Sequence, residues 1–154
     1  MRWDIVNPAV GQLLYGKLAE PYEVAYSGFI TGQALSRLQD GVVGYFGPED
    51  VQNDPLLAQG VGQGATQVAM WTEDFTSVRG IIEYLTQRPG EKLLDPRGIL
   101  PGTWPHRLFV AAAVAVTAGE PDGRHLAELA IEAIAPWRGR STDEGIARLR
   151  AALG

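Results

Sequence analysis

Leu108 to Val116 is an unbroken apolar run of nine residues, LFVAAAVAV. A helix needs about 20 such residues to cross a bilayer, and this run has roughly half of that. It must instead be covered by the rest of the chain. Pro105 suits a first helical turn, and the apolar character persists to Ala118. The pattern therefore predicts a helix over 105–118, apolar on nearly every side and central to the fold.

The segments after that helix read as its partners. Gly119-Glu120-Pro121-Asp122-Gly123 is a turn, and Asp122 suits the cap of a second helix ending near Pro136. Its expected buried stripe is Leu126, Leu129, Ala130, Ala133 and Ile134. Ser141-Thr142-Asp143-Glu144 has the form of a capping box for a last helix that buries Ile146, Leu149 and Leu153. Glu144 and Arg148 stand at i,i+4 in the favourable orientation. A C-terminal three-helix unit follows.

Before the apolar run, Asn7-Pro8 with Val10, Leu13, Leu14 and Leu18 predicts a short capped helix. Thr72, Glu73 and Asp74 suit the start of a helix over 73–86, with Phe75, Val78, Ile81, Ile82 and Leu85 on one face. Residues 20–72 are ambiguous. Glu20-Pro21 can open a helix carrying Tyr22, Ala25, Tyr26 and Phe29, and a helix is favoured over 33–39. The alternative is a hairpin turning at Asp40-Gly41 and returning through Val42–Phe46.

The expected fold is thus mainly α, with about six helices, in a single domain over residues 1–154. The alternative is α+β, with a small antiparallel hairpin or sheet from residues 22–71. The segment LDPRGILPGTWP (residues 94–105), with three Pro and two Gly, is the one candidate for an internal boundary.

Composition narrows the function classes. There is no Cys, which removes disulfides, thiol nucleophiles and Cys-ligated metals. Thirteen basic residues against 18 acidic ones give a formal charge of −5, which argues against nucleic acid and anionic membranes as partners. The opening MRWDIVNP has an acid and a Pro where a secretory leader needs an apolar core, so a cytoplasmic location is expected.

Gly60-Val61-Gly62-Gln63-Gly64-Ala65 fits the glycine pattern of a dinucleotide cradle. That chemistry needs a strand before the glycines and an acid at the end of a second strand about 20 residues on. Pro55 and the absence of β-branched residues before the motif argue against the strand. The stretch reads instead as a mobile, exposed hinge, and no cofactor is expected.

Other clusters have structural readings. His125, Glu128 and Glu132 share one helix face at i, i+3 and i+7, as a solvated polar face would, and no metal is expected. Glu49, Asp50 and Asp54 lack the EF-hand pattern and suit an acidic helical turn or a surface loop. Arg138, Arg140, Arg148 and Arg150 do not form a nucleic-acid patch, since Asp143 and Glu144 offset half of the four. His106, at a helix N-terminus, suits a neutral imidazole that could act as a general base, but no triad motif accompanies it.

Trp3, Trp71, Trp104 and Trp137 all fall near predicted element ends, and Trp104 sits one residue from Pro105 in the stiff connector. Aromatic rings at such places either close a core or meet a partner. Trp104, Trp71, Trp137 and His106 are therefore the candidate binding residues. The function expected by exclusion is a non-enzymatic protein-interaction module: an adaptor, an immunity- or antitoxin-like partner, or an oligomeric scaffold. Its partner would be another protein or a second copy. The alternative is a small enzyme or ligand-binding domain using His106 or His125 with nearby carboxylates.

Overall fold

A computed structural model describes residues 2–16, 29–34, 48–87, 94–95, 98–99, 102–137 and 139–154. The fold is mainly α and single-domain. Seven α-helices lie among the described residues: α1 (Pro8–Tyr15), α2 (Pro48–Asn53), α3 (Pro55–Thr72), α4 (Val78–Thr86), α5 (Trp104–Ala118), α6 (Gly123–Ile134) and α7 (Arg140–Leu153). Four short strands accompany them: β1 (Arg2–Val6), β2 (Phe29–Ala34), β3 (Leu94–Asp95) and β4 (Gly98–Ile99). Their order is β1-β2-β4-β3, and every pairing is antiparallel.

α5 is the centre of the helical part. Its residues from Arg107 to Ala115 are all buried, as the apolar run predicts. The helices α1, α4, α6 and α7 all pack against it. Val10, Leu14, Trp71, Tyr84, Leu85, Ile134, Ile146 and Leu149 belong to the same continuous core as the α5 side chains. Arg107 is the exception in the run of apolar neighbours: it is 2% exposed in the first turns of α5.

Helix ends follow local chemistry. The Asn7 side-chain oxygen accepts from the amides of Ala9 and Val10 at 3.1 and 3.3 Å, and Pro8 opens α1. The helix stops at Gly16, whose φ of 73° suits glycine, so it ends before the predicted Leu18. Asp54 caps α3 by accepting from Leu56 and Leu57, and Glu49 and Asp50 sit in the first turn of α2. Gly119, at φ 70°, closes α5 while the Glu120 amide donates back to the Ala115 carbonyl.

Several predicted details are corrected. The Gly60–Ala65 stretch is neither hinge nor phosphate turn; it lies inside the 18-residue α3. Asp54 and Pro55 start that helix before the glycines, and Gly60, Gly64, Val68 and Trp71 form its buried face at helical spacing. Burial along that face offsets the roughly 1 kcal/mol that each interior glycine costs a helix. Thr72 ends α3 instead of capping the next helix. Glu73–Phe75 form a 3₁₀ turn, and the Ser77 hydroxyl caps α4 by accepting from Gly80 at 3.0 Å.

The capping box before the last helix does not form. α7 begins at Arg140 behind Gly139 with no side-chain cap, so Ser141 and Thr142 lie within its first turn. Glu144 pairs with Arg140 at 3.1 Å rather than with Arg148. Arg148 instead donates to the carbonyls of Leu13 and Leu14 at 3.0 and 2.6 Å, where the end of α1 leaves acceptors unfilled. Asp122 occupies the cap position of α6 without a side-chain hydrogen bond.

Within the window 22–71, the described strand is β2, and its partners β1 and β4 come from outside that window. Gln33 and Ala34 belong to β2 rather than to a helix, and Phe29 is likewise in the strand. The turn at Asp40-Gly41 and the return segment 42–46 lie outside the described residues. Within the Pro/Gly-rich connector, Leu94–Asp95 and Gly98–Ile99 pair as a two-residue ladder.

Candidate functional site

α6 carries a wider apolar arc than one neighbour covers. Gly123, Ala127, Ala130 and Ile134 are buried, and their small side chains let α6 pack closely along α5. Leu126 and Ala133 are half-buried, and Leu129 is 42% exposed. The expected stripe is thereby corrected: it straddles two faces, one against α5 and one open. The reason is the period of 3.6, which turns Leu126, Leu129 and Ala133 away from the centre defined by Ala127, Ala130 and Ile134.

The open half forms one wall of a groove of about 500 Å³. Trp104 and Leu108 of α5 form the opposite wall, Thr86 closes it from the end of α4, and Glu132 stands at its edge. Trp104 is half-buried, and its indole Nε1 is shut off from solvent without a hydrogen-bond partner among the described residues. A second depression of about 440 Å³ lies on the other side of Glu132, lined by Arg124, Glu128, Ile131, Arg150 and Leu153. There Arg124 donates to the Leu153 carbonyl at 2.6 Å.

The candidate tryptophans are not brought together. Trp71 is buried at the end of α3, edge-on to Phe75 at 5.4 Å, and Phe75 meets Tyr84 at 5.0 Å. This aromatic chain joins α3 to α4 and puts Trp71 in the core. Trp137 is 66% exposed in the 3₁₀ turn after α6. The side chain of Trp3 lies outside the described residues. Among the described side chains, Trp104 is the tryptophan that lines the groove.

The two histidines are also separate. His106 lies in the first turn of α5 and His125 in the first turn of α6, at opposite ends of that helical hairpin. Desolvation lowers the His106 pKa below the ordinary 6.5, which favours the neutral ring at pH 7, although the residue is exposed to solvent. Among the described residues no carboxylate hydrogen-bonds to either ring, and no group of three His, Asp or Glu is placed to hold a metal. His125, Glu128 and Glu132 all face solvent.

Sequence reasoning picked out Trp104 but missed Leu129, whose exposure depends on which half of the α6 arc α5 covers. It also missed Arg148 as the contact to α1, because a bond to a distant carbonyl leaves no spacing signal. No helix among the described residues is long and apolar enough to cross a membrane. No family model matches the chain, and no curated protein or solved structure is similar to it.

Proposed function

We propose that this chain is a non-enzymatic, cytoplasmic protein-interaction module whose docking surface is the groove between Trp104 and Leu129. The observation that carries this reading is the uncovered apolar wall of α6, with Leu129 42% exposed beside Leu126 and opposite an aromatic ring. Aromatic and aliphatic anchors in a concave site are the usual source of docking energy. A formal charge of −5 disfavours nucleic acid as the partner.

Quantitative co-purification of the wild type and Leu129→Asp from native cells tests the reading. Leu129 lies outside the core, so the variant should keep its melting temperature within a few degrees. Loss of a wild-type partner with the fold intact is the expected result. Recovery of the same partners by both proteins would remove the groove as the docking surface.

A further inference from the structure

The sheet ends on β1. In the order β1-β2-β4-β3 the two edges are β1, with five residues, and β3, with two. β1 keeps a regular antiparallel register with β2 from Arg2 to Ile5, and the irregularity comes only between Ile5 and Val6. No strand pairs with the other side of β1 among the described residues. An edge strand turns a row of amides and carbonyls outward, and such a row is a template for one more strand.

The residues along this edge select which strand that is. Arg2 and Asp4 are two positions apart and so fall on one face, with Trp3 on the other. Across the existing ladder Arg2 is opposite Ala34 and Asp4 is opposite Gly32, so neither position stands against an opposite charge. Reversed, the order Arg2-Trp3-Asp4 is complementary to itself. An antiparallel copy centred on Trp3 sets Arg2 against Asp4 of the second copy and Asp4 against its Arg2. Opposite charges at directly opposed positions stabilise an antiparallel pair, and like charges destabilise it. Neighbouring registers lose this match. A centre at Asp4 opposes two carboxylates, and one midway between Trp3 and Asp4 sets Arg2 against Ile5.

We propose that β1 is a self-pairing edge, through which two copies of this chain join antiparallel about a two-fold axis at Trp3. The contact is isologous, so each Arg2–Asp4 pair occurs twice. Five residues of strand make a small contact, so the dimer forms and separates with concentration. Two copies of formal charge −5 repel at long range, but physiological salt screens that repulsion beyond about 8 Å, and the two pairs act within that distance. No β1 residue lines the groove between α5 and α6, so the pairing stands independently of the docking reading.

Sedimentation velocity over a concentration series tests the proposal, on the wild type, Arg2→Asp, Asp4→Arg and the double exchange. The wild type should pass from monomer to dimer as concentration rises. Either single reversal sets like charges together twice and should weaken the dimer about tenfold or more. The double exchange restores opposite pairs in the same register and should recover most of the wild-type association. That recovery separates a lost contact from a lost fold.

A wild type still monomeric at about 1 mM would overturn the proposal. So would a dimer that survives both single reversals, or one that the double exchange fails to restore. A dimer dissolved by Leu129→Asp and indifferent to Arg2→Asp would place the contact in the groove instead of on β1.

Discussion

α5 and α3 are both nearly free of charge, yet they lie at opposite extremes of burial. α5 carries Arg107 as its one permanently charged side chain, and nine consecutive residues of it are buried. α3 has no charged residue in its 18, but among its large side chains Leu56 is 78% and Met70 67% exposed. Lack of charge therefore does not bury a helix. What differs is the volume each presents. α5 interleaves Leu108, Phe109, Val110 and Val114 with alanines, so neighbours approach from several sides. α3 spends Gly60, Gly62 and Gly64 with Gln59, Gln63 and Gln67 along the same length, and it keeps one narrow buried face.

The sharpest way to break that contrast is to add the same atoms to both helices. Ala112 in α5 is 0% exposed, so Ala112→Leu must force its neighbours apart, at a cost of about 1–3 kcal/mol or more. Ala65 in α3 faces solvent, and Ala65→Leu should stay within about 0.5 kcal/mol of the wild type. Urea unfolding measures both. Similar losses at the two sites would mean that α3 is covered as thoroughly as α5.

A finer comparison uses glycine. At Gly62 an added Cβ meets nothing within 4 Å, so Gly62→Ala should stabilise the chain by about 0.5–1 kcal/mol. At Gly145 in α7 the same atom would lie 2.8 Å from the Leu14 carbonyl oxygen and 3.3 Å from the Phe109 ring. The oxygen belongs to the backbone of α1, which Arg148 holds in place. Gly145→Ala should therefore lose about 1–2 kcal/mol net, the clash exceeding the gain in helix propensity. Opposite signs in thermal melts are the expected outcome. Equal gains would show that α1 is loosely seated on α7.

The same contrast explains what could be read from the residues. The apolar run of α5 and the Asn7-Pro8 start of α1 were legible because a long run and a cap are local signals. The hinge expected at Gly60–Ala65 failed because glycine weakens a helix only until packing offsets it, and packing is not local. The predicted cap at Ser141 failed because α7 starts earlier, at Arg140 behind Gly139, and Glu144 and Arg148 reach to Arg140 and to the carbonyls of α1 instead of to each other. Trp104 was legible as an aromatic in a stiff segment, whereas its partner Leu129 became visible only once the α5–α6 packing fixed the open side of α6.

The smallest predicted effect separates the two ends of α5. Its middle is buried, while its first turn carries His106, which is exposed yet partly desolvated. Desolvation lowers the folded pKa below the ordinary 6.5, so the unfolded chain binds more protons just below that pH. Stability should therefore be full above pH 6.5 and fall as the pH drops from there toward the lowered folded value. Because His106 is exposed, solvent screens the ring and keeps the loss small. His106→Gln removes the titration, and its stability should vary less between pH 7.5 and pH 5.5 than that of the wild type, each measured by urea unfolding at fixed ionic strength. An unchanged pH slope in the variant would mean that the first turn of α5 is as wet as the surface, and that the dry part of the helix begins only at Arg107.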